Sequence, residues 1–138
     1  MTSTTLLGSL TVPGRPEQVA NAREFVGKAV GEQHPCAGTA ILLVSEVVTN
    51  AVVHSNSRRD GGTITITVIA MRHGIRVEVI DEGGATVPTL LPGLGLLEPP
   101  EGGRGLYLVD MLSARWDYWC DKAGTVTWFE LWAEQSHE

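Results

Sequence analysis

Between residues 63 and 80 the chain alternates apolar and polar positions. Thr63-Ile64-Thr65-Ile66-Thr67-Val68-Ile69 and Ile75-Arg76-Val77-Glu78-Val79-Ile80 each turn every second side chain to one face, the rhythm of half-buried strands. His73-Gly74 between them is a turn, so the two runs predict a hairpin. A weaker alternation from Leu6 to Val12, stopped by Pro13-Gly14, predicts an earlier strand. Trp116 to Cys120 and Thr125 to Trp132, around Lys122-Ala123-Gly124, predict a closing pair. Elsewhere the rhythm is helical. Val19, Ala22, Phe25, Val26, Ala29 and Val30 share one helical face, and Pro16 and Glu17 suit a first turn, which predicts a helix from about Pro16 to Glu32. His34-Pro35 breaks it. A second helix runs from about Ala37 to His54. A third, short one starts near Arg104 and carries Leu106, Leu108, Val109, Met111 and Leu112. Hairpin-joined strands with helices grouped to one side predict an α+β two-layer sandwich.

The chain's 138 residues are the size of one domain, so residues 1–138 read as a single unit without repeats. Hydrophobic residues make up 43% and charged residues 19%, enough apolar material for a core and too much for a disordered chain. The net charge of −6 argues against general nucleic-acid binding but not against binding one nucleotide. Two cysteines, Cys36 and Cys120, complete neither a disulfide scaffold nor a zinc site. Cys36 reads as a buried or helix-start thiol. His34, His73 and His137 read as scattered surface residues. No basic leader precedes an apolar core at the N-terminus, and no apolar run approaches the length of a membrane span. The expectation is a cytoplasmic protein with no membrane contact.

The second helix carries the most informative chemistry. On a helical wheel Ser45, Glu46, Thr49, Asn50 and His54 fall in one arc, opposite Ile41, Val44, Val47, Val48, Ala51 and Val52. Glu46 and Asn50 lie one turn apart, a carboxylate and a carboxamide that together offer oxygen ligands to a hard cation. Alone, such a pair is more often a solvated helix face. Asp81 ends a strand and is followed by Gly83-Gly84; a carboxylate there accepts a hydrogen bond from an exocyclic amine, although the same residues form an ordinary glycine turn. Gly102-Gly103-Arg104-Gly105 opens the third helix. Its amides and the helix dipole favour a phosphate, or it is simply the end of a glycine-rich loop. Gly124-Thr125 offers a hydroxyl between the closing strands, or an ordinary β-turn. His54, near a helix C-terminus, more often complements the dipole than binds metal. Thr86 to Gly103 has no periodicity, which in a compact domain marks a lid or binding loop. The glycines match neither G-x-x-x-x-G-K-[ST] nor G-x-G-x-x-G.

The order of these pieces resembles the Bergerat-fold (GHKL) ATPases. That order is Glu-x-x-x-Asn on a helix, Asp-x-Gly after a hairpin strand, a long loop, Gly-Arg-Gly-Leu opening a helix, and Gly-Thr in the last hairpin. The run Ser45 to His54 most resembles the anti-sigma-factor serine/threonine kinases of the SpoIIAB/RsbW type, and the resemblance extends from about Val12 to Leu131. It implies a mixed, mostly antiparallel sheet with three main helices on one face, and an ATP lid over about residues 84–102. It implies Mg²⁺ coordinated by Asn50, Glu46 as the general base toward a partner's serine, and Asp81 reading the adenine amine with Gly83 making room. Gly103, Arg104, Gly105 and Leu106 would hold the phosphates, His54 would lie among the nucleotide-binding residues, and Thr125, or alternatively Thr127, would support the adenine. ATP and Mg²⁺ are the implied cofactors. The implied partners are a sigma factor and a STAS-type anti-sigma-factor antagonist, with the chain itself a homodimer. Two departures stand out: Ala85 replaces the second glycine of the Asp-x-Gly-x-Gly box, and residues 86–101 contain no Lys or Arg. Two other functions therefore stay open. One is a non-catalytic ATP-binding switch, favoured by Ala85. The other is a detached histidine-kinase ATPase domain, disfavoured because the chain shows no dimerisation and phosphoacceptor helices.

Overall fold

The alternating runs become strands of one five-stranded sheet. The computed structural model describes residues 4–54, 61–82, 104–120 and 124–133. Its strands are β1 (Thr4–Pro13), β2 (Thr63–Met71), β3 (Gly74–Asp81), β4 (Arg115–Cys120) and β5 (Thr125–Trp132), in the spatial order β1-β2-β3-β5-β4. Its helices are α1 (Val19–Val30), α2 (Ala37–His54) and α3 (Arg104–Leu112). Period-two burial is realised as read. Ile64, Ile66 and Val68 of β2, Ile75, Val77 and Val79 of β3, and Phe129 and Leu131 of β5 are buried against the helices. A fully buried side chain of this size contributes about 1.5–3 kcal/mol relative to exposure, so this shared face and the helix faces against it are the main stabilising layer.

All four strand pairings are antiparallel, so among the described residues the sheet is antiparallel throughout rather than mixed. Chain geometry supplies the reason. β1 ends where β2 begins, with Pro13 facing Thr63, because two helices in succession return the chain to the end it left. β3 and β4 run the same way, but β5 lies between them and opposes both.

Helix α2 packs against α1 on one side and α3 on the other, and buries Leu43, Val44, Val47, Val48, Ala51 and Val52. Its bounds match the sequence reading. α1 is shorter than that reading. Pro16–Gln18 form a 3-10 turn with proline at its start, and the α-helix ends at Gly31, whose φ of 98° is open to glycine and costly for other residues. The helix therefore stops two residues before Glu32. Hydrogen bonds fix the start of α2. His34 is half-buried rather than a plain surface residue, and its Nδ1 accepts the backbone N–H of Cys36 at 2.9 Å. The buried Cys36 thiol donates to the Leu131 carbonyl at 3.7 Å, and burial pushes its pKa up.

The other face of the sheet carries a charged network that the alternation does not announce. Glu130 is only 1% exposed although helices do not cover it. It accepts Arg76 Nη1 at 3.0 Å, Arg115 Nε at 2.8 Å and Trp132 Nε1 at 3.4 Å, and Arg76 lies 4.0 Å from the centre of the Trp128 ring. Burial alone would raise the Glu130 pKa. The hydrogen bonds from Arg115, Arg76 and Trp132 outweigh it and hold the carboxyl below its usual value.

Candidate active site

Strand β3 delivers Asp81 to one end of the sheet, where it pairs with Thr125, the first residue of β5; Cys120, the last residue of β4, pairs with Thr125 from the other side. Asp81 continues the helix-facing series Ile75, Val77, Val79, so it lies on the face that the helices cover. Thr125 and Thr127 share that face, each 4% exposed. Register distinguishes them: Thr125 stands beside Asp81, and Thr127 beside Val79, deeper in the sheet. Gly124 is required locally, because a Cβ on it would strike the carbonyl oxygen of Asp81.

Helix α2 runs toward this same end. Its start is tied to Leu131 near the opposite end, and the chain leaving it re-enters the sheet at Thr63, beside the Asp81 end. The Glu46–Asn50 turn therefore sits in the half of α2 nearest Asp81. Both side chains are half-buried, and among the described residues neither has a hydrogen-bond or ion-pair partner. Ser45 is half-buried and Thr49 exposed, as a polar arc requires, but Leu42 and Val53 are also exposed, at 42% and 48%.

α3 ends beside β5, with Ala114 N–H donating to the Glu130 carbonyl and Trp116 Nε1 donating to Asp110 at 2.9 Å. The helix lies back along β4, which aims its first turn at the Asp81–Thr125 end. Leu106 in that turn is buried. For His54, Arg104 and Gly105 only the backbone place, at the end of α2 and the start of α3, is described. Gly83, Gly103, Ala85 and the lid over about 84–102 lie outside the described residues.

Sequence reading missed one residue at this end. Glu82 Oε2 accepts both the backbone N–H of Thr63, at 2.9 Å, and its hydroxyl, at 3.2 Å. The available signal was register: extending the β2–β3 hairpin outward places Thr63 opposite Glu82.

The arrangement places Glu46 and Asn50 in the half of α2 nearest the sheet end at which Asp81 and Thr125 are register partners. Among the described residues, no three His, Cys, Asp or Glu side chains converge on a metal site. The side-chain oxygen of Asn50, with the Glu46 carboxylate one turn away, has the chemistry to hold a hard cation such as Mg²⁺.

Residues 12–131 match the model of the histidine kinase-like ATPase domain. The chain belongs to that family. A serine-protein kinase RsbW from Listeria monocytogenes serotype 4a (strain HCC23) is 28% identical over 115 residues, 75% of this chain and 73% of that protein. The RsbW of serotype 4b (strain CLIP80459) matches to the same extent. Among solved structures, the histidine kinase domain of the Erythrobacter litoralis EL346 blue-light activated histidine kinase is similar, with a TM-score of 0.54 and 25% identity. The match covers 87% of this chain but only 65% of that one, so the chain spans less than two thirds of its length. Family and fold together support an ATP-binding, kinase-like regulator. Among the described residues no helix is long and apolar enough to cross a membrane.

Proposed function

We propose that this protein is an ATP-dependent serine/threonine-protein kinase that phosphorylates an anti-sigma-factor antagonist of the STAS type and sequesters a sigma factor, acting as a cytoplasmic homodimer. The observation that carries the reading is the Glu46–Asn50 pair, half-buried and without described partners, in the half of α2 nearest Asp81 and Thr125. Similarity to the two RsbW serine-protein kinases supports the choice of reaction.

Asp81 accepts a hydrogen bond from the adenine amine, with the Thr125 hydroxyl beside it. Arg104, Gly105 and Leu106 in the first turn of α3, together with Gly103, receive the phosphates, where the amides and dipole of a helix start favour negative charge. Asn50 would hold Mg²⁺, which when bound neutralises charge on the phosphates. Glu46 takes the proton of a serine hydroxyl on the partner. The serine oxygen bonds to the γ-phosphorus, the bond from that phosphorus to the β,γ-bridging oxygen breaks, and ADP leaves.

Transfer of labelled γ-phosphate from ATP to a recovered antagonist tests the reaction. Glu46→Gln is expected to keep ATP affinity and lose phosphotransfer by about 10²–10⁴-fold, the usual contribution of a positioned general base. Equal transfer by both proteins would remove Glu46 from that role. A second reading, a non-catalytic ATP-binding switch for a protein partner, is favoured by Ala85 in place of the box's second glycine. It requires ATP-dependent partner binding with no transfer by the wild type.

A further inference from the structure

The β2–β3 ladder pairs Thr65 with Ile80 and goes no further, whereas the β3–β5 ladder continues to Asp81 and Thr125. At its last residues β3 thus parts from β2 while staying with β5, and Asp81 sits where that split opens. The Thr63 N–H would be the next donor on the β2 side. No strand carbonyl of β3 takes it; the Glu82 side chain does, through one oxygen that also accepts the Thr63 hydroxyl. Thr63 is itself held from the other side by pairing with Pro13 of β1, and Gly62 just before it accepts the N–H of Gly14. Glu82 therefore ties the residue after Asp81 to the anchored start of β2, the point where the chain returns from α2.

We propose that Glu82 is a positioning residue for the adenine-reading carboxylate: it bridges the split between β2 and β3 and so fixes the direction of Asp81. This rests on the nucleotide reading of the site. Both Thr63 contacts go to a single acceptor oxygen, and a carboxamide oxygen can accept the same two hydrogen bonds.

The test compares ATP with inosine triphosphate, which carries an oxo group where adenine carries its exocyclic amine. Affinities of the full chain are measured by calorimetry with Mg²⁺, alongside thermal melts. Glu82→Ala is expected to weaken ATP by about tenfold and to leave inosine triphosphate nearly unchanged, which narrows the preference between them. Glu82→Gln is expected to restore the wild-type preference. An unchanged ATP-to-inosine-triphosphate ratio in Glu82→Ala would overturn the proposal, even if its melting temperature fell, because a purely structural tie affects both ligands alike. Glu82→Gln behaving like Glu82→Ala would overturn it too. Failure of the wild type to bind ATP at all would overturn the nucleotide reading and this inference with it, a result distinct from normal ATP binding that Glu82→Ala leaves untouched.

Discussion

Each end of the β3–β5 ribbon is closed by a glycine pressed against the facing strand. At one end a Cβ on Gly74 would strike the carbonyl of Leu131; at the other, a Cβ on Gly124 would strike that of Asp81. The surroundings differ. The Gly74 end meets the start of α2, with the buried Cys36 thiol bonded to Leu131. The Gly124 end meets the half of α2 that carries Glu46 and Asn50, the first turn of α3, and a split between β2 and β3. One steric device thus serves two purposes. A glycine held tight against backbone marks a close approach and says nothing about ligands; the half-buried Glu46 and Asn50, without partners among the described residues, separate a joint from a candidate site.

Substitutions can break or sharpen that contrast. The largest effect is expected at the Asp81 end: Asn50→Ala should abolish ATP binding in the presence of Mg²⁺, and phosphotransfer with it, by at least about 10²–10³-fold, while circular dichroism shows an unchanged fold. Unchanged affinity by calorimetry would dissolve the distinction between the two ends. Next come the glycines. Gly74→Ala and Gly124→Ala should each cost about 1–3 kcal/mol in chemical denaturation, the usual cost of forcing atoms into a packed position. Gly124→Ala should also weaken ATP severalfold, which Gly74→Ala should not; equal nucleotide effects would refute the division of roles.

The smallest effect belongs between the two ends, on the open face. Glu130→Gln should cost about 1–2 kcal/mol near neutral pH, at the modest end because Arg115 is 60% exposed and Arg76 25% exposed. The sign follows from the lowered pKa of Glu130: its contribution is fully present above the unfolded glutamate value of about 4.3 and is lost as pH falls through the lower folded value. Wild type and variant should therefore converge in stability as acid titrates past that window. A gap that persists or widens below it would show that the network does not favour the ionised form.

Much of the architecture was legible because it rests on local rhythm. α2 announced itself through its apolar arc, and both hairpin strands through alternation that survives as burial. The end of α1 lies before Glu32 because the positive φ of Gly31, which the apolar spacing ending at Val30 does not announce, stops the helix there. The expectation of a mixed sheet failed on a non-local fact, the placement of β5 between β3 and β4. Glu130 and Glu82 escaped notice for the same kind of reason. Glu130 is unremarkable until register sets it beside Arg76 and Arg115, and Glu82 reads as a turn residue until Thr63 stands opposite. The candidate residues Glu46, Asn50, Asp81 and Thr125 were legible by resemblance, and the fold places them toward one end of the molecule; their chemical roles rest on the experiments above.

The position of β5 also bears on how the protein comes to exist. Thr125 belongs to the last strand of the described chain, yet it enters the middle of the sheet beside a strand made much earlier. Until β5 inserts, a nascent chain shows β3 as a bare edge, with its inner face unsealed and Asp81 lacking its neighbour. Closing so distant a pairing is entropically slow. Nucleotide capture at Asp81 would thus be open only to chains in which β5 has been made and inserted.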